Sequence, residues 1–241
     1  MQVMDTAASA ARCYDTAMAH PPAAGPIGFI SDLHGNLTTL DVVLDELERL
    51  DVKRIYAAGD LLLGGQEPLE VWQRLQEVGA ICTRGPTDLA LASVDPATLV
   101  PIDDAQRRQA RLFADTRAAI GDLVAERLRR LPEQQRIPLI DGREILMVHG
   151  SPADANSELS HDLTDEEVLG LLDDDPADII VCGSTHVPFQ RAVEEYHVVN
   201  VGSVGAAPEG QVAHYTVITP RMSGADILQD WVSDEDQPEA S

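Results

Sequence analysis

The sequence is nearly devoid of lysine. Of its 17 basic residues only Lys53 is one, set against 41 acidic residues for a formal net charge of -24. That scarcity excludes whole reaction classes. A P-loop needs a Gly-Lys-Ser/Thr run over the β- and γ-phosphates, and Lys53 lies in Leu50-Asp51-Val52-Lys53-Arg54 with no glycine before it. A protein kinase needs a Val-Ala-Ile-Lys strand, which is missing. A Schiff-base enzyme would rest on the same solitary lysine. A duplex nucleic acid is not expected as a partner, because the average field repels polyanions. The densest basic run, Arg127, Arg129 and Arg130, is diluted by Glu126 and Glu133.

Cysteine and long apolar runs are also scarce. The three cysteines, Cys13, Cys82 and Cys182, are odd in number and form no CxxC, which predicts reduced thiols in a cytoplasmic protein. No stretch reaches the roughly 20 uninterrupted apolar residues of a membrane span, so no membrane partner is expected. The first 25 residues are alanine-rich but carry Asp5, Arg12 and Asp15, the wrong order for a secretory signal. They read as a flexible extension ended by Pro21, Pro22 and Pro26. From residue 233 the tail is acidic, contains Pro238 and is expected to be disordered. A single domain over residues 26–232 lies between.

Within that domain short apolar strands alternate with amphipathic helices. Strands are expected at residues 27–30, 55–58, 80–83, 144–148, 179–182, 198–201, 214–218 and 225–231. Helices are expected at 37–50, 68–78, 104–131 (broken near Gly121) and 165–172. The first helix puts Leu40, Val43, Leu44, Leu47 and Leu50 on one face. Such alternation predicts an α/β sheet system, whose ligands gather at the carboxyl ends of the strands.

Five of those ends deliver carboxylates or imidazoles, usually beside a glycine. They are Asp32-Leu33-His34, Gly59-Asp60, Gly85-Pro86-Thr87-Asp88, His149-Gly150 and Gly183-Ser184-Thr185-His186. In extended chain Asp32 and His34 point to the same side. Imidazole with carboxylate and no thiolate suits a divalent transition metal such as Mn, Fe, Zn or Ni rather than calcium.

In this order the motifs resemble those of the calcineurin-like metallophosphoesterases, and most closely their small prokaryotic phosphodiesterase branch, which includes the retromer's vacuolar sorting subunit. His149-Gly150-Ser151-Pro152, Thr185-His186-Val187-Pro188-Phe189 and Gly202-Ser203-Val204-Gly205 carry that closer likeness, and the resemblance spans residues 27 to 231. It implies a four-layer sandwich, two mixed sheets face to face with helices outside and a two-metal centre at their edge. It also implies a first ion held by Asp32, His34, Asp60 and His186, and a second that shares Asp60 and takes His149. Asp60 and His149 would be the catalytic pair, and Asn36, Arg84, Thr87 and Ser184 stand as substrate-binding candidates.

The chain departs from the family at the second ion. Its other two ligands fall on Pro86 and Ser184, where the family has Gly-Asn-His-Asp and Gly-His-Thr-His motifs. Thr87 replaces the histidine that would assist proton transfer, and losing a general acid costs roughly 10²–10⁴-fold in rate. One tightly bound ion and a weak or absent second are therefore expected. Two readings stay open: a weakened phosphodiesterase on a small phosphodiester or nucleotide, and a non-catalytic scaffold that binds metal, phosphate or a protein partner. Homo-oligomerisation is left open by both.

Overall fold

The structure is a computed structural model and describes residues 21–210 and 212–233. Along these residues run β1 (Ile27–Ile30), α1 (Leu37–Arg49), β2 (Arg54–Ala57), α2 (Pro68–Glu77), β3 (Ile81–Cys82), α3 (Pro86–Ser93) and α4 (Asp104–Arg130). They continue with β4 (Gln134–Pro138), β5 (Glu144–Val148), α5 (Asp165–Leu169), β6 (Ile179–Cys182), β7 (Phe189–Val193), β8 (Tyr196–Asn200), β9 (Val212–Arg221) and β10 (Gly224–Ser233). One five-stranded sheet has the order β10-β9-β1-β2-β3 and the other β4-β5-β6-β8-β7. Both are mixed. β1, β2 and β3 are parallel, as are β5, β6 and β8; β9 and β10 add antiparallel on one side of the first sheet, and β4 and β7 form antiparallel edges of the second.

The period of two in a strand explains the layering. Ile27 and Phe29 of β1 and Tyr56 of β2 turn toward the second sheet, where they meet Ile145, Met147, Ile179, Val181 and Val199. Phe29 stacks on Tyr56 with ring centroids 5.3 Å apart. The alternate residues Ile30 and Ala57 pack under α1, α2 and α4, and Leu146, Val148, Ile180 and Cys182 pack under α5. Each fully buried aliphatic or aromatic side chain contributes roughly 1.5–3 kcal/mol through area removed from water. Gly28 lets α1 approach closely, since a Cβ there would lie 3.1 Å from Leu47 Cδ2 and from Val52 Cγ1.

Several elements differ from expectation. α3, β4 and β7 were not expected, and α5 ends at Leu169 rather than at residue 172. α3 starts with Pro86 at its first position and Asp88 capping Gly85, a start signal eclipsed by the ligand motif it occupies. β4 is an edge strand with an exposed face and ends on Pro138, so neither apolar alternation nor an unbroken run marked it. α4 breaks at Gly121, whose φ of 68° leaves the helical region as anticipated.

The extension expected to be flexible through residue 25 is anchored from Pro21 onward. Ala23 is fully buried, donates to the Pro138 carbonyl and accepts from Ile140 N–H, while Arg54 donates to the carbonyl of Pro21. A small side chain in the inter-sheet core and a backbone pairing with β4 fix it. The expectations for residues 1–20 and 234–241 fall outside the described residues. No helix among the described residues is long and apolar enough to cross a membrane.

Candidate metal centre

The carboxyl ends of the parallel strands in both sheets converge at one edge. Leaving β1, Leu33 turns into the core while Asp32 and His34 adopt positive φ of 54° and 49°. Asp60, after β2, has φ 52°, and Ser184 and His186, after β6, have 76° and 60°. These are five of the eight non-glycine residues with positive φ among the described residues. Each such conformation costs of order 1–3 kcal/mol and persists only where the surroundings over-determine it.

Here the surroundings are backbone hydrogen bonds between turns. Asp32 N–H donates to Gly59 O at 3.1 Å and His34 N–H to Asp60 O at 3.1 Å. The loop after β8 clamps the same turn: Val204 N–H donates to Ser31 O, while Gly205 N–H and the Ser203 hydroxyl both donate to Asp32 O. Asn200 secures that loop by accepting from Gly202 N–H and donating to Gly183 O.

The donor atoms face inward. Asp32 is fully buried; its Oδ2 accepts from Ser184 N–H at 3.0 Å, and its Oδ1 has no hydrogen-bond partner. Three imidazoles surround that orphaned oxygen, His186 Nε2 at 3.2 Å, His34 Nε2 at 3.8 Å and His149 Nε2 at 3.9 Å. His34 Nδ1 lies 2.7 Å from Leu63 O, and His149 Nδ1 lies 2.8 Å from Ala58 O. A carbonyl only accepts, so both rings carry their proton at Nδ1 and turn the Nε2 lone pair to the centre, the arrangement that orients metal-ligating histidines.

Burial pushes the Asp32 carboxyl up, but the adjoining His186 and His149 imidazoles outweigh it and hold it below its ordinary value. His186 is raised in turn, chiefly by the nearby Asp32 carboxylate.

The residues fit a cation. A buried carboxylate oxygen without a donor is costly, and His34 Nε2 stands 3.2 Å from His186 Nε2 with its proton committed elsewhere. Two triads of potential ligands exist among the described residues: Asp32, His34 and His186, and Asp32, Asp60 and His149. Asp60 groups with His149 and Asp32.

The remaining candidates are placed as follows. Pro86 opens α3 and supplies no donor atom. Asp88, fully buried, accepts from the N–H groups of Asp60, Leu61 and Gly85. Burial and the Asp60 charge push its carboxyl up to about 7. Thr87 N–H donates to Asp60 Oδ1, while its buried Oγ1 has no partner. Asn36 caps α1 by accepting from Thr39 N–H, a structural duty for a side chain expected at the substrate. Arg84 is engaged by Glu133 Oε1 at 2.5 Å and the Arg129 carbonyl at 2.8 Å, so its charge is partnered within the fold.

His161 is exposed beside Asp162, and His197 meets Gln190 Oε1 at 3.1 Å. Sequence reasoning assigned no role to the carbonyls of Ala58 and Leu63. Backbone acceptors leave no trace in side-chain patterns.

A family model described as the calcineurin-like phosphoesterase superfamily domain matches residues 26–222. The chain belongs to this superfamily. Its sequence is 24% identical over 202 residues to an uncharacterized protein of Methanocaldococcus jannaschii, spanning 76% of this chain and 78% of that one. The phosphoesterase fold is similar to the crystal structure of a hypothetical protein from Pyrococcus horikoshii, with a TM-score of 0.72, 20% identity and coverage of 85% of this chain and 87% of the other. A metallophosphoesterase from Sphaerobacter thermophilus superposes with a TM-score of 0.67 at 23% identity, over 86% and 88% of the two chains. Superfamily membership points to a hydrolase, and the buried Asp/His cluster is the candidate metal centre of that fold.

Proposed function

We propose that the protein is a metal-dependent phosphoesterase, a phosphodiesterase acting on a small phosphodiester or nucleotide, with a weakened second ion position. The observation that carries this reading is the orphaned Asp32 Oδ1 inside a ring of three imidazole Nε2 atoms. Asp32, His34 and His186 would hold the stronger ion, with Asp60 and His149 beside them. A bound divalent ion of the Mn, Fe, Zn or Ni class supplies Lewis acidity toward a phosphoryl oxygen and activates water.

The chain's own residues do the rest. Leu63 and Ala58 fix the tautomers of His34 and His149. Asp88 holds the turn that aims Asp60. Thr87 presents a free hydroxyl donor where the family has an imidazole. With Arg84 paired to Glu133 and a net charge of -24, the field around the site favours a small, singly charged diester over a highly charged ligand.

The second reading, a metal- or phosphate-binding scaffold without catalysis, is favoured by Pro86 and Ser184 in place of ligand side chains. Turnover of bis-p-nitrophenyl phosphate with added Mn separates the two. Slow hydrolysis that vanishes in Asp32→Asn supports the enzyme. No turnover in the natural chain and in a Pro86→Asn/Ser184→His double variant alike supports the scaffold.

A further inference from the structure

We infer that the stretch from Leu89 to Leu112, which runs from α3 into the first turns of α4, is the face through which two copies of this chain pair about a two-fold axis.

No residue from Ser93 to Leu112 is buried. The core resumes only at Phe113, Thr116 and Ile120, on the next turns of α4. Residues 104–112 therefore form more than two helical turns with no side laid on the rest of the fold. Most helical stability in proteins comes from packing a face against a neighbour. The ion pairs here, Arg107 with Asp104 at 2.6 Å and Arg111 with Asp115 at 3.8 Å, are exposed and contribute little.

The same stretch is where apolar side chains meet water. Of the eleven large apolar residues exposed among the described residues, six lie in it: Leu89, Val94, Leu99, Val100, Ile102 and Leu112. Val100 and Ile102, on either side of Pro101, are 85% and 80% exposed. Exposed apolar side chains gathered in this way mark an interaction surface, whereas single ones do not.

The charge pattern selects a second copy as the occupant. Two molecules of net charge -24 repel wherever acid predominates. Residues 89–112 are balanced, with Asp95, Asp103 and Asp104 against Arg107, Arg108 and Arg111. The acids all precede the arginines. A two-fold axis that runs the stretch antiparallel to its copy sets the acidic half of each against the basic half of the other. A strongly charged partner of either sign finds no net charge here to match.

The test is the mass of the full chain in solution, by sedimentation equilibrium from micromolar to near-millimolar concentration, in dilute buffer and in molar KCl. A dimer is expected, and a tighter one in molar KCl, because salt screens the repulsion between the net charges while apolar contacts persist. Val100→Ser/Ile102→Ser leaves the charge unchanged and should weaken the dimer by roughly 30-fold or more. Both side chains are exposed, so the circular dichroism of this variant should match that of the natural chain. Arg108→Glu/Arg111→Glu should weaken the dimer too, more in dilute buffer than in molar KCl. Met222→Ser, at a side chain 79% exposed outside the stretch, should leave it intact. A chain that stays monomeric under every condition overturns the inference and leaves the stretch to a partner of another kind. A dimer unmoved by Val100→Ser/Ile102→Ser, or one that molar KCl dissociates, overturns it as well.

Discussion

The turn after β1 and the turn after β3 leave the same sheet at the same edge, yet they have kept different things. The first carries Asp32 and His34 in positive-φ conformations with their donor atoms turned inward. The second retains its scaffolding: Gly85 extended, Asp88 satisfying three backbone N–H groups, α3 starting cleanly. At its helix start stands Pro86, whose side chain offers no donor atom. Turn geometry and ligand chemistry are thus separable, and the second turn braces Asp60 without offering a donor side chain at residue 86.

The largest effect should come from breaking that brace by volume. A Cβ at residue 85 would sit 2.1 Å from Asp60 Oδ1 and 2.6 Å from Asp60 N, and a backbone atom cannot rotate away. Gly85→Ala should cost about 3 kcal/mol in urea unfolding of the metal-free protein. A loss below about 0.5 kcal/mol would show that the second turn does not fix Asp60 at all.

Breaking the brace by chemistry should cost less. In Asp88→Asn one oxygen still accepts from Leu61 N–H, but an NH₂ group meets the N–H groups of Asp60 and Gly85. Unsatisfied buried donors cost about 1–3 kcal/mol each, and relief of the buried charge beside Asp60 offsets part of this. A net loss of about 2 kcal/mol is expected by denaturant titration, with Mn affinity falling as Asp60 loosens. Unchanged stability would make the carboxylate's three acceptor bonds dispensable.

Restoring ligands to the second position should sharpen the comparison from the other side. Pro86→Asn adds an amide oxygen at the start of α3, and Ser184→His adds an imidazole at a residue whose φ of 76° histidine adopts more readily than most side chains. The double variant should bind the second Mn at least tenfold more tightly by calorimetry, equivalent to about 1.4 kcal/mol. Affinity equal to that of the natural chain would mean that something other than the missing donors sets the weak position.

Much of the fold was legible because its central strands are apolar runs ending in chemistry-bearing turns. Ile27–Ile30, Glu144–Val148 and Ile179–Cys182 fall where periodicity placed them. The edges were not legible, since β4 and β7 alternate weakly and owe their conformation to pairing with β5 and β8. At the centre, sequence brought Asp32, His34, His149 and His186 together through motif order alone. It could not tell which oxygen of which aspartate is free, because Thr87 N–H on Asp60 and Ser184 N–H on Asp32 are backbone donors set by turn geometry. For the same reason the helix cap made by Asn36 and the ion pair of Arg84 with Glu133 could not be read from side-chain patterns.

The smallest expected effect concerns the loop that clamps the first turn. His214 is buried in β9, accepts from Ser203 N–H at Nδ1 and has Glu209 3.9 Å from Nε2. Burial lowers its pKa, and the Glu209 charge opposes that only in part. Because the folded value lies below the unfolded value of about 6.5, the unfolded chain binds the extra proton first. Stability from this residue is therefore complete above the unfolded value and drains away as pH falls toward the folded one. Protonation at Nδ1 would also set N–H against the Ser203 N–H, whose residue holds the Asp32 carbonyl through its hydroxyl. His214→Asn keeps an acceptor toward Ser203 but cannot titrate. The difference in unfolding free energy between the natural chain and this variant, both metal-free, should shrink in the natural chain's disfavour as pH drops below about 6.5. Parallel pH profiles would show that His214 is not the group through which acid loosens the clamp.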